Sequence, residues 1–170
     1  MIARKLTAQQ AGFLWARFYA DYGPEVMMDA YGWSAPNARQ LRPYERVWTF
    51  ADAGAYVGWG LCSLNTKDPD DDEAVLVVGV DPGSRGRGYR HAILDWLSRW
   101  AATKGAAWAK IIVFKDNEAN YERTYDEAYS DDVPKVWFHA GDVWLPAPGY
   151  GIFLRDLGVA VAPADQAVAA

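Results

Sequence analysis

The sequence predicts an α/β domain with the order β-α-α-β-β-β-α-β-α-β-β. Three observations predict it. Two apolar runs, Ala74–Val80 and Trp108–Phe114, read as buried strands. Each is followed by a stretch with helical character, Gly88–Thr103 after the first and Glu118–Tyr129 after the second. The length of 170 residues with 51% hydrophobic content suits one domain with a real core.

The elements follow in chain order. Ile2–Leu6 reads as a short first strand. Thr7-Ala-Gln-Gln10 forms a capping box, and Ala11, Leu14, Trp15, Phe18 and Tyr19 keep helical spacing until Gly23-Pro24 stops the helix. Glu25–Tyr31 reads as a second short helix ended by Gly32, and Ser34–Pro43 as a polar loop. Arg46–Phe50 and Ala55–Asn65 are strands joined by a hairpin turn over Ala51–Gly54. Gly58 and Gly60 inside the longer strand mark a bulge or a close approach. Lys67–Asp72 is an acidic solvated turn. After Trp108–Phe114 and the helix Glu118–Tyr129, strands over Val133–His139 and Gly149–Arg155 complete the set. The domain is placed at residues 1–157, and residues 158–170, rich in Ala, Val and Pro without a pattern, are expected to form a flexible tail.

Bulk chemistry narrows the partners. A net charge of −5 argues against whole-molecule attraction to nucleic acid and favours cationic acceptors such as amines. The one cysteine, Cys62, lies in an apolar strand pattern, which excludes an internal disulfide and fits a reduced, cytoplasmic setting. His91 and His139 are far apart in the chain, so with one Cys no zinc set is predicted and no metal is expected. Arg4 and Lys5 precede no apolar h-region, and no spanning segment occurs, so neither a signal peptide nor a membrane partner is expected.

The most informative stretch is Val80-Asp81-Pro82-Gly83-Ser84-Arg85-Gly86-Arg87-Gly88-Tyr89-Arg90. A strand meets a helix there through glycine and arginine. A helix start offers unpaired N–H groups and a positive dipole end, glycine permits close backbone approach, and Arg85, Arg87 and Arg90 add charge-assisted donors. Such a junction binds phosphate. The Walker spacing Gly-x-x-x-x-Gly-Lys-Ser/Thr and the Rossmann spacing Gly-x-Gly-x-x-Gly are both absent.

The pattern Val-x-Pro-x-x-Arg-Gly-x-Gly resembles the acyl-CoA loop of the GNAT N-acetyltransferases, in which Arg or Gln is followed by x-x-Gly-x-Gly/Ala. Arg90 stands where that family carries a small residue. The element order over residues 1–157 is similar as well. The resemblance implies a mixed, mostly antiparallel central sheet of six to seven strands flanked by about four helices. It also implies acetyl-CoA, or another acyl-CoA, as co-substrate and direct attack by an amine of a small molecule, peptide or protein.

The diphosphate is then expected on Arg85, Gly86, Arg87, Gly88, Tyr89 and Arg90, and the pantetheine arm along the backbone of Val78 and Val80. Asn117 lies in Lys115-Asp116-Asn117-Glu118-Ala119, which resembles the family's Asn-x-Ala helix start at the cofactor. Tyr125 is assigned as the acid for the departing thiolate, with Tyr121 and Thr124 as substitutes. Thr124 occupies the register of the family's tyrosine. Glu73, at the start of the fourth strand, is assigned as the base, one residue from the family position. Glu25, Asp29 and Glu45 fall in segments that border the acceptor groove. Trp33, Tyr44, Trp48, Trp59, Trp137 and Trp144 are placed around the cleft, either lining it or packing in the core. Two other readings stand beside this one: an acyl-CoA-binding module without catalysis, and transfer to an amino-modified nucleotide. A homodimer is compatible with the fold.

Overall fold

The computed structural model describes residues 1–12, 44–64, 72–129, 137–144 and 148–158. The second predicted helix, Trp33, Glu25, Asp29 and residues 159–170 of the tail lie outside them. Among the described residues, seven strands form one sheet: β1 Ile2–Lys5, β2 Glu45–Asp52, β3 Ala55–Leu64, β4 Glu73–Val80, β5 Trp108–Phe114, β6 Phe138–Val143 and β7 Tyr150–Asp156. Their spatial order is β1-β2-β3-β4-β5-β7-β6. Every neighbour pair is antiparallel except β4–β5. Two helices, α1 Tyr89–Ala102 and α2 Glu118–Tyr129, are complete, and a third opens after Thr7. The predicted capping box forms: Thr7 N–H donates to Gln10 Oε1 at 3.0 Å and Gln10 N–H to Thr7 Oγ1 at 3.3 Å.

Alternation decides which side chains meet α1. In β3, a side chain at Gly60 would meet Leu97 and Ile93 of α1, so the even positions of that strand face the helix and glycine lets it settle close. In β2, Trp48 and Phe50 share this face. Trp48 makes edge contacts with Trp96 at 5.1 Å and Trp100 at 4.8 Å. Leu76, Ile111, Phe153, Ile93, Leu94 and Leu97 fill the core between sheet and helix. Trp59 points to the opposite face. Its indole lies across Gly79, its register partner in β4, where a Cβ would overlap the ring.

The β2–β3 hairpin turns through Ala53 (φ 47°) and Gly54 (φ 82°), the two positive angles of a tight two-residue hairpin. The sixth strand differs from its predicted span of 133–139: the strand is Phe138–Val143, bulged between His139 and Gly141, and residues 133–136 lie outside the described set.

Candidate active site

The parallel pair β4–β5 is short. Its register runs from Glu73↔Trp108 to Leu76↔Ile111 and stops there. Both strands continue, β4 paired with β3 to Val80 and β5 paired with β7 to Phe114. A wedge therefore opens between their C-terminal halves. Asp81 N–H donates to Val57 O of β3 at 2.9 Å. Backbone groups alternate sides along a strand, so the N–H and C=O of Val78 and Val80 face away from β3, into the wedge.

The arginine loop sits at the mouth of this wedge. Asp81 starts it by accepting the Gly83 N–H at 3.0 Å, which caps the short 3-10 turn Pro82–Ser84. Gly86 (φ 75°) and Gly88 (φ 79°) then take left-handed conformations with open space where a Cβ would stand. The first helical bond of α1 runs from Ala92 N–H to Gly88 O at 3.2 Å. The N–H groups of Tyr89, Arg90 and His91 precede it and have no intrahelical acceptor. Arg85 and Arg87 are exposed beside them. The Tyr89 hydroxyl is turned away, donating to Asp52 Oδ2 of the β2–β3 hairpin at 2.9 Å; the bond holds the Tyr89 hydroxyl above and the Asp52 carboxyl below their usual pKa ranges.

Arg90 points inward. Its Nη2 donates to Thr124 Oγ1 of α2 at 3.1 Å, and the Thr124 hydroxyl donates on to Asn120 O at 2.7 Å. Thr124 is fully buried. Nη1 of Arg90 is buried and has no hydrogen-bond partner among the described residues. Burial lowers the pKa of the guanidinium. A second tie between the helices joins His91 Nε2 to Glu127 Oε1 at 2.9 Å.

Asn117 is exposed at the start of α2, on the β5 side of the mouth, where its carbonyl accepts the Tyr121 N–H at 2.9 Å. Tyr125 lies on a different flank from Thr124, because one residue turns a helix by about 100°, whereas Tyr121, three residues back, stands closer to the face of Thr124. The Tyr121 hydroxyl donates to Asp142 Oδ1 at 2.8 Å, and burial, reinforced by that bond, pushes its pKa to about 12. Tyr125 lies against Tyr129 (4.5 Å between rings) and His139 (5.0 Å), toward β6. The Tyr129 hydroxyl raises its pKa. His139 bridges the Tyr129 hydroxyl at 3.0 Å and Asp142 Oδ1 at 3.2 Å. Lys115 Nζ lies 3.3 Å from Asp142 Oδ2 and 3.0 Å over the ring of Trp144. Burial raises the pKa of Asp142, but the hydrogen bonds from Tyr121, His139 and Lys115 outweigh it and the net direction is down.

Glu73 is at the closed end of β4, where Oε1 meets Lys110 Nζ at 2.6 Å. Five residues separate it from Val78, about 16 Å along a strand. The structure thus joins Arg90 to Thr124 just past the arginine loop, which itself continues from Val78 and Val80. It places Glu73 and Tyr125 elsewhere. Among the predicted aromatics, Trp48 and Trp137 are core residues, Trp59 is half-buried on Gly79, and Trp144 is 70% exposed on the Lys115 side of the mouth. Tyr44 is half-buried and Glu45 buried. Among the described residues no group of three His, Cys, Asp or Glu gathers in a way that would hold a metal ion, and no helix is long and apolar enough to cross a membrane.

Comparison with known proteins accords with this geometry. The family model for the acetyltransferase (GNAT) family matches residues 10–127. The chain belongs to the GNAT acetyltransferase family. The matched span runs from the first helix through the wedge, the loop and most of α2. No curated protein matches the chain. Among solved structures, an N-acetyltransferase from Staphylococcus aureus Mu50 is 15% identical, with a TM-score of 0.60 over 92% of this chain and 98% of its own. The ribosomal-protein-S18-alanine N-acetyltransferase from Escherichia coli is 15% identical, with a TM-score of 0.60 over 94% and 95%. A spermidine N-acetyltransferase from Vibrio cholerae is 12% identical, with a TM-score of 0.62 over 92% and 95%. At these identities the likeness is one of fold, and it shows the GNAT architecture.

Sequence reasoning did not find the contact between Arg90 and Thr124 or the network of Tyr121, Asp142, His139 and Lys115. One signal for the network was present: Tyr121, Tyr125 and Tyr129 recur at four-residue spacing, which puts them on one helix flank.

Proposed function

We propose that this GNAT chain transfers an acyl group, acetyl in the simplest case, from acyl-CoA to an amine. The observation that carries the reading is the parting of β4 and β5 beyond Leu76, with an arginine-glycine loop and an open helix start at the mouth. In this reading the diphosphate rests on the N–H groups from Gly86 to Arg90 and on Arg85 and Arg87. The arm pairs with the inward backbone groups of Val78 and Val80 as an added strand would. An N–H there polarises the thioester carbonyl. The amine attacks the carbonyl carbon, the C–N bond forms, and the C–S bond breaks with its electron pair on sulfur.

Glu73 is bonded to Lys110 below the parting and Tyr125 faces β6, so both act on the reacting atoms only through water. Acceptors follow the acidic balance of the chain and belong among cationic amines. A polyamine and a peptide α-amine head the list because two proteins of similar fold carry those activities in their names.

Release of free thiol from acetyl-CoA, with and without each amine of a panel, tests the reading. Amine-dependent release supports it. Tight cofactor binding without release from any amine supports the second reading, a binding module whose wedge is held by the Arg90–Thr124 bond. The localisation this reading entails, a reduced cytoplasm, is supported by the single buried thiol.

A further inference from the structure

The guanidinium of Arg90 is held by side-chain and backbone groups of α2. Thr124 spends its own proton on Asn120 O, so its oxygen lone pair has a set direction, and Nη2 of Arg90 fills it. That leaves Nη1, a buried, charged donor with no acceptor among the described residues. A buried donor of this kind calls for an anionic or polar acceptor, and none of the described residues supplies it.

The depth of the group tells which acceptor. Thr124 lies seven residues into the helix after Asn117, about 10 Å below the mouth at 1.5 Å per residue. Three residues down β4 from Val80, also about 10 Å, is Val77, next to the last residue paired with β5. These lengths set Thr124, and the guanidinium bonded to it, level with Val77 at the floor of the wedge. Phosphates have Arg85, Arg87 and the helix start at the mouth. The part of a cofactor that reaches the floor is its sulfur end.

We propose that Arg90 is a catalytic residue that stabilises the departing thiolate through Nη1, with Thr124 as its positioning residue. The inference rests on the acyl-CoA reading above. As the C–S bond breaks, sulfur takes the electron pair and becomes an anion. The guanidinium keeps its proton and donates a hydrogen bond to that anion. The proton lost by the amine goes to water, and the thiolate takes one from water once the product leaves. The charged groups around Arg90 leave this role open: Glu127 is engaged by His91, and Arg123 adds positive charge.

The test is a titration of the thiol of bound CoA, followed by thiolate absorbance, in wild type, Arg90→Gln and Arg90→Lys. Wild type should lower the pH at which the bound thiol ionises by at least about one unit relative to free CoA. Arg90→Gln should abolish the shift and Arg90→Lys keep part of it. An unshifted thiol in wild type, or an equal shift in Arg90→Gln, overturns the proposal. Desulfo-CoA provides the second arm: Arg90→Gln should leave its affinity within about twofold. An equal loss for CoA and desulfo-CoA assigns Arg90 to the phosphates instead and overturns the thiolate role while leaving the cofactor reading intact. A folded wild type that binds neither compound sinks both. Should Arg90→Gln fail to fold, Thr124→Val, which frees the guanidinium from its tether, must reduce the thiol shift.

Discussion

The hydroxyl of Tyr121 donates to Asp142 Oδ1 at 2.8 Å, and this bond fastens α2 to the edge strand β6. Asp142 also holds His139 and Lys115, so one carboxylate joins α2, β6 and the end of β5. Asp142→Asn should cost about 1–3 kcal/mol at neutral pH, the range for a charged hydrogen-bonding group lost from a partly buried network. The sign of the pH dependence follows from the lowered pKa of Asp142 in the folded chain. The unfolded state binds the proton more readily, so the contribution is complete above the unfolded value of about 3.9 and is lost as pH falls through the folded one. Chemical denaturation of both proteins from pH 7 downward should give stabilities that differ at neutral pH and converge below about pH 4.

Gly79 is predicted to accept no side chain because the Trp59 indole occupies the space above it. Gly79→Ala should destabilise by about 1–3 kcal/mol through overpacking. In a Trp59→Ala background the same change should cost less than about 0.5 kcal/mol, giving a coupling energy in a double-mutant cycle. Equal costs in the two backgrounds would mean that the ring does not set the limit at Gly79.

Cys62 is wholly buried, and burial pushes its thiol to about 12. A thiol reagent at pH 8 should therefore leave the folded protein unlabelled and react once denaturant unfolds it. Rapid labelling of the folded chain would contradict the buried placement.

Much of the fold was legible because apolar runs and helical spacing are local properties. Trp108–Phe114 and Glu118–Tyr129 have the bounds that their patterns predict, and Thr7 caps its helix as the spacing demands. The sixth strand extends past its predicted end because a bulge after His139 carries the pairing with β7 on through Gly141 to Val143, which alternation alone does not show. The place of the arginine loop was legible too, since a strand, a glycine-rich turn and a helix in succession are a local pattern. The floor of the wedge was not. Arg90 is a surface-type residue in a loop pattern, and its inward course depends on Thr124, 34 residues away. The pattern of α2 likewise gives three tyrosines on one flank, but which flank faces the wedge is set by how α2 sits on β5 and β7. Lys115 and Trp144 meet across a sheet edge that no periodicity records.

The central claim is that the wedge between β4 and β5, with Arg85 and Arg87 at its mouth, holds acyl-CoA. Calorimetry with acetyl-CoA on wild type and on the Arg85→Ala, Arg87→Ala double variant tests it most directly. Each charge-assisted bond to phosphate contributes about 1.5–3 kcal/mol. Micromolar binding by wild type, weakened at least about a hundredfold in a double variant of unchanged melting temperature, is the predicted result. A folded wild type that releases no heat with acetyl-CoA and shows no competition by CoA would contradict the account at its base.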